Sequence, residues 1–527
     1  MSMTGRMTAS LLWMLIIALA AAGPGAGGVP TSREAAEPWV VRADREIAAV
    51  TEPTEDYLDK LSGCRLAMWA YEASPSDARR KAAAGRIRSH CAIVASLPVT
   101  GGGHRSQQQS QLDDYDAAAC MAEVDYLDGA SEFIAAATRP TNRATMPDSP
   151  DRTDAISDMA LPRAFALIRL GRGDEVDDVP CSPAEAQFYI WRFDDAGHPE
   201  MGDTLSGLIH LPRNLEAKQE SATRQLVLEM NGYFREALVV AEGVDDPLDR
   251  CTRVVIAGGW AAAHGRADLL PRVRADASKC AEYRQNVPMM RENMAYLMET
   301  CAEAGDRAGV DETIAWFDRG WPNEEPKTKI AAAAAAVGEM ELCKSRIQSA
   351  RADAAETVNP DERRSLYLGI AVASARAGDS SRVNSALASA AQAAAGVDGD
   401  PDCNNRALAA VAAAYARAGH LDDAIAFLPK IGGSPVVEAR RVVAHALTVQ
   451  GRFDVARKVV RGLEPRERAR SLCFIATQQV KQNKTDGLAD WIDKVPTAAE
   501  RAVIDLAVAK AISGRPNRWF DRMMSDE

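Results

Sequence analysis

The chain has 527 residues, 47% of them hydrophobic and 26% charged, with a net charge of −12. That length exceeds what one compact core spans, and the apolar share excludes a disordered chain. Residues 1–220 carry 21 basic and 32 acidic groups and residues 221–527 carry 41 and 42, so neither part has the dense basic face that nucleic-acid binding requires.

Aromatic residues make up only 6% and alanine fills much of the apolar share, which favours closely packed helices. Residues 1–23 read as a signal peptide. Arg6 supplies the positive start, Leu11 to Ala22 the apolar segment, and the small residues up to Gly23 a cleavage site. Twelve apolar residues fall short of the roughly 20 that cross a bilayer, and an uncleaved anchor is the alternative. No later segment is long and apolar enough to span a membrane. The mature chain is therefore expected to be soluble, exported to the periplasm or secreted, without stable membrane insertion.

Residues 31–138 form a helical N-terminal region, with helices expected over 55–74, 77–97 and 113–138. Residues 99–111 and 139–150 are rich in Gly, Ser, Gln, Pro and Thr and read as linkers. Residues 151–219 hold degenerate helical repeats, one ending near Gly171 and another near Gly197.

From about residue 220 a period emerges. A helix breaker falls at Gly232, Gly265, Gly305, Gly338, Gly378, Gly419, Gly451, Asn483 and Gly514, at intervals of 31 to 41 residues. Between breakers lie two amphipathic stretches. In Arg406 to Leu428, residues Leu408, Val411, Ala412, Tyr415 and Ala418 form one apolar stripe. Gly419 then ends the first helix, and Asp422 and Asp423 suit the start of the second. The expected fold is all-α, a superhelical array of stacked antiparallel hairpins over 220–527.

The segments Gly419-His-Leu-Asp-Asp-Ala424, Gly451-Arg-Phe-Asp-Val-Ala456 and Gly232-Tyr-Phe-Arg-Glu-Ala237 resemble the turn of tetratricopeptide repeats. A small residue stands seven positions before most breakers, as at Ala412, Ala444, Gly258, Ala331, Ala371, Ala476 and Ala507, and Tyr415 matches the family's aromatic position. Most units lack the family's tryptophan and closing proline, several are longer, and Gln225 and Met298 break the small-residue rule. A generic α-solenoid is the alternative. The resemblance implies a non-enzymatic scaffold or adaptor for a protein or peptide partner, without cofactor or metal.

Candidate residues are few. Trp260, Trp316 and Trp321 suit a partner contact, or else fill gaps between hairpins. Cys251 and Cys280 lie at about the same distance from Gly265 on opposite arms of one hairpin, so they form either a disulfide or two buried thiols. Cys301 and Cys343 make a weaker pair. His264 and His420 flank turns four repeats apart, too far to share a metal. Charged helix starts such as Glu362-Arg363-Arg364 and Glu438 to Arg441 read as exposed ion-pair ladders or as a peptide grip. No catalytic motif is present. The alternative function is an exported α/α-type enzyme acting on carbohydrate or another envelope substrate, although paired carboxylates in an aromatic cleft are not evident. A third possibility places function in residues 31–150, which hold Trp39, Trp69, His90 and His104.

Overall fold

One backbone conformation recurs at the end of helix after helix. Gly171, Gly305, Gly338, Gly378, Gly419 and Gly451 all have φ between 71° and 84°, and Asn483 and Asp125 adopt φ of 54° and 55°. Only residues tolerating the left-handed region fit there, which is why glycine dominates. In each case the next residue's amide donates back to the carbonyl four residues before the breaker: Asp306 to Cys301, Glu339 to Ala334, His420 to Tyr415 and Arg452 to Leu447, at 2.8–2.9 Å. This bond satisfies a carbonyl that the helix end leaves open and reverses the chain.

The computed structural model describes residues 33–50, 62–96, 107–138, 151–176, 179–180, 189–190, 193, 198–210, 225, 228–229, 234–263, 266–280, 287–320, 326–394 and 401–513. They are helical apart from turns, three short 3-10 segments and a two-residue parallel pair, Val179–Pro180 with Ile209–His210. The N-terminal helices are α1 (Arg33–Ala48), α2 (Gly63–Ala73), α3 (Asp77–Ser96), α4 (Gln107–Glu123), α5 (Leu127–Ala137), α6 (Asp151–Arg169) and α7 (Pro199–Leu208). There follow α8 (Phe234–Glu242), α9 (Pro247–Ala263), α10 (Leu270–Cys280), α11 (Val287–Glu303), α12 (Arg307–Gly320), α13 (Lys327–Ala336), α14 (Met340–Glu356), α15 (Pro360–Arg376) and α16 (Ser380–Ala394). The chain continues through α17 (Pro401–Arg417), α18 (Leu421–Phe427), α19 (Pro435–Val449) and α20 (Phe453–Val460) to α21 (Pro465–Lys481), α22 (Leu488–Ile492) and α23 (Ala498–Ser513). No helix among the described residues is long and apolar enough to cross a membrane.

These helices pack in neighbouring pairs, and two compact units result. In the unit within 224–463, the first helices of successive hairpins (α9, α11, α13, α15, α17, α19) lie side by side, and each contacts its own second helix. Two positions fixed relative to the breaker build the core. Five residues after it, Val310, Cys343, Val383, Ala424 and Ala456 are fully buried. Seven before it, Ala331, Ala371 and Ala412 are fully buried and small, so the helices approach closely. At Gly258 a Cβ would come 2.7 Å from both methyls of Val273 on α10. Gln225, which departs from the small-residue rule, donates to the Arg253 carbonyl at 3.1 Å and to Glu229 at 2.7 Å. Met298 is wholly buried in the apolar core.

The other unit combines residues within 26–223 with those within 464–527. Its centre is α23, which packs against α21 on one side and against α1 from the opposite end of the chain. On α1 the stripe Ala36, Val40, Ala43, Ile47 is buried. Charges frame the contact: Arg42 reaches Asp493 at 2.8 Å and Asp505 at 3.3 Å, while Arg501 donates to Glu46 at 2.8 and 3.0 Å. Thr497 caps α23, accepting from the Glu500 amide at 3.2 Å, and Arg468 grips the wholly buried Glu500 carboxylate at 2.7 and 2.9 Å.

Two expectations need correction. Helix α1 lies within the helical region expected over 31–138, though not in one of the helices expected there. The segment expected as one helix over 113–138 is two, because Asp125 takes the left-handed conformation and the Tyr126 amide closes on Met121 at 2.9 Å. Residues Gln107 to Gln111, read as linker, begin α4. The expected linker 139–150 and the signal segment 1–23 lie outside the described residues.

Gly338 has φ 84° and nothing within 4 Å of a Cβ built on it, so substitution there isolates backbone strain from steric clash. Gly338→Ala is expected to cost about 1–2 kcal/mol in urea unfolding, and Gly338→Asn clearly less. Equal costs would show that the turn conformation is not what the position demands. A second test concerns Asp505, whose carboxyl burial pushes up to about 7 against the pull of Arg42. A carboxyl raised in the folded state stabilises fully below its unfolded pKa of about 4, and that stability is lost as pH rises towards 7. The difference in unfolding midpoint between Asp505→Asn and the parent should therefore grow in favour of the variant from pH 4 to 7 and then level off. A difference independent of pH would remove Asp505 as the titrating group.

Candidate functional site

Because the hairpins of 224–463 share one turn, residues at equal distances from their breakers occupy equivalent places on neighbouring first helices. Two positions before the breaker stand Glu303 on α11, Ala336 on α13, Arg376 on α15 and Arg417 on α17. Ala336 projects only a methyl, and Glu303 passes it to meet the next helix. Its Oε1 accepts from Arg376 Nη2 at 2.9 Å, and Arg417 Nη1 lies 3.8 Å from the same oxygen. The three side chains are 12%, 9% and 17% exposed. Among the described residues, Arg376 Nε and Arg417 Nη2 are buried without hydrogen-bond partners. One turn earlier along the same helices stand Glu299, Ala332, Val372 and Ala413, and Glu299 pairs with the exposed Lys329 at 3.7 Å.

The acidic end of this strip continues towards α9. Tyr296 lies against Gly259, where a Cβ would come 2.3 Å from its hydroxyl. Burial first, and then the charges of Glu303, Glu299 and Glu229, push its pKa up to about 12, so the phenol stays protonated. Burial also raises Glu229 to about 7, opposed by the hydrogen bond from Gln225. Further along, burial lowers His445 on α19 to about 4, keeping it neutral near pH 7. The strip thus runs from carboxylates at Glu299 and Glu303 to guanidiniums at Arg376 and Arg417.

The residues singled out from sequence sit elsewhere. Trp260 is buried in the apolar core, 8% exposed. Trp316 is half-buried against that core, edge-on to Phe317 with centroids 5.0 Å apart. Trp321 and His264 lie outside the described residues. Cys251 is wholly buried with its Sγ 3.4 Å from Met290 Sδ, and the side chain of Cys280 lies outside what the structure describes. Burial pushes the thiols of Cys301 (to about 12) and Cys343 up, which removes nucleophilic thiolate at neutral pH. His420 is exposed at its turn, lying over Gly378 and edge-on to Tyr415. Of the charged helix starts, Arg363 donates to the Thr357 carbonyl at 2.8 Å and Arg441 pairs with Glu438 at 3.3 Å within one helix.

In the N-terminal region, a groove between α1, α2 and α3 is floored by Ala48, Ala67, Ala78, Ala82 and Gly85. Its rim charges are engaged within the protein: Arg79 by Glu37 and Asp44 at 2.7 and 2.8 Å, Arg86 by the carbonyls of Ile47 and Val50. Among the described residues no group of three or more His, Cys, Asp or Glu is placed to hold a metal ion.

The sequence matches no protein-family model and no curated protein. The geometry alone therefore ranks the surfaces. The Glu303–Arg376–Arg417 strip stands out because two guanidiniums from successive hairpins converge on one carboxylate oxygen.

Glu303, Arg376 and Arg417 were not singled out from sequence. A signal existed, since all three stand two positions before a breaker, but only the packed structure shows that Glu303 clears Ala336. Trp260→Ala is expected to destabilise the fold by about 3–5 kcal/mol in urea unfolding, as for a buried tryptophan. A loss below about 1 kcal/mol would show that Trp260 is not a packing residue and return it to the candidate contacts.

Proposed function

We propose that this chain is an exported, non-enzymatic scaffold or adaptor built as a tetratricopeptide-like solenoid, and that it binds a protein or peptide partner through the first-helix strip of residues 224–463. The observation that carries the proposal is the alignment of Glu303, Arg376 and Arg417 in one row beside Glu299 in the next, with Lys329 paired to Glu299 and only alanine or valine at the intervening positions of the two rows. Charged side chains held at fixed spacing above a floor of short apolar groups suit an extended polypeptide, whose backbone can approach closely and whose side chains can be matched in sign. The recurring turns support the solenoid, through the offsets that the tetratricopeptide resemblance rests on. The apolar run Leu11 to Ala22 behind Arg6 supports export to the periplasm or beyond. Neither a cofactor nor a metal is part of this proposal.

The test is affinity capture from the native envelope fraction with a tagged chain starting near residue 24, read by mass spectrometry against an untagged control. The expected result is one or two proteins at near-stoichiometric level, lost when the half-buried Glu299 and the exposed Lys329 are both changed to Ala. Elution of the chain alone, repeated after cross-linking, would sink the scaffold proposal. Separately, intact-mass analysis of the chain from the extracytoplasmic fraction should show it shortened by about the first 23 residues. Recovery of the full-length chain from the cytoplasm alone would end the export proposal.

A further inference from the structure

We infer that Arg376 and Arg417 form a receptor for one carboxylate side chain on an extended segment of the partner, with Glu303 as the resident counter-ion of the unbound site. This deepens the partner-binding proposal above and rests on it.

Charge is the first argument. Two guanidiniums converge on one carboxylate oxygen, leaving the cluster one positive charge in excess inside a largely covered environment. Such an excess is costly unless an anion compensates it. Hydrogen bonding is the second. The Arg417 contact to Glu303, at 3.8 Å, is beyond hydrogen-bond reach, and among the described residues Arg417 donates no hydrogen bond. Its guanidinium carries five N–H donors in a planar fork that matches a carboxylate. Arg376 spends Nη2 on Glu303 while its Nε stays unpaired.

The neighbours select the ligand class. With Glu303 in place, the excess of one charge is met by a monoanion. A phosphate dianion would leave the cluster negative beside Glu299 as well. Access is over Ala336, which is exposed between the two ends of the cluster and projects only a methyl. Beyond Glu303 the strip continues into the Glu299–Lys329 pair, so a segment with an acid at one end and mixed charge beyond it would match the strip along its length.

The experiment is selection of a random peptide library on the immobilised full-length chain. Peptides are displayed with their C-termini fused to the carrier, so that only side-chain carboxylates are available. Enriched peptides should share an Asp or Glu at one fixed position. Arg417→Gln should weaken a selected synthetic peptide roughly tenfold or more, as expected for loss of a charge-assisted hydrogen bond, with the melting curve unchanged. Arg417→Lys, which keeps the charge but not the fork, should fall between. Selection on Arg417→Glu should replace the fixed acid by Lys or Arg. Glu303→Gln should tighten binding, because the ligand no longer competes with a resident carboxylate. Enrichment without a fixed acid, or binding indifferent to Arg417, would overturn the carboxylate receptor while leaving peptide binding standing. No enrichment on the parent chain would overturn both.

Discussion

The hydrogen bond that closes each left-handed turn, from the amide after the breaker to the carbonyl four residues before it, is the constraint on which the other features depend. It ends one helix and starts its antiparallel partner at a fixed offset. Once that offset repeats, the residues five positions on and seven positions back fall into the core. Cys343, Val383 and Ala424 share no chemistry beyond being apolar, yet all are wholly buried because they stand at the same distance from a turn. The breaker itself is replaceable. Asn483 and Asp125 serve in place of glycine because their short polar side chains tolerate the left-handed region.

The same register carries charges. Side chains two positions before successive breakers point to the same side, so a carboxylate and two guanidiniums separated by scores of residues become neighbours without any long loop to bring them together. Buried charges of this kind are poor sources of stability, because desolvation offsets most of the attraction. The exposed pairs at the turns, such as Arg452 with Asp422 and Arg307 with Glu339, contribute little for the opposite reason, since water screens them. The strip and the turn pairs thus differ in environment although both join Arg to a carboxylate, and that difference separates a candidate recognition surface from a solvated face.

In the unit formed by both chain ends, α1 buries an apolar stripe on α23 and surrounds it with Arg42, Glu46, Arg501 and Asp505. Helix α23 would otherwise expose an apolar face, since Val503, Leu506 and Ala509 are all buried. A helix from the far end of the chain covers it. Asp505 is the cost of that arrangement, a carboxyl taken out of water and bonded, among the described residues, to Arg42 at 3.3 Å, and burial raises its pKa.

The spacing of breakers was enough to establish that the chain is helical and to locate the turns from Gly305 to Asn483, because a left-handed residue and the periodic apolar stripes around it are local properties that sequence displays directly. The turn at Asp125 escaped notice because aspartate is seldom a breaker, although Asp125-Tyr-Leu-Asp-Gly-Ala130 follows the same pattern as Gly419 to Ala424. Tryptophans drew attention as contacts, yet bulk and apolarity do not distinguish a core position from a surface one, and packing put Trp260 inside. Only the tertiary structure decided that α1 belongs on α23 and that Glu303 meets Arg376 and Arg417. Both depend on which helices become neighbours and on how far a side chain must reach across them. Those are distances between segments remote in sequence, and no local pattern of residues encodes them.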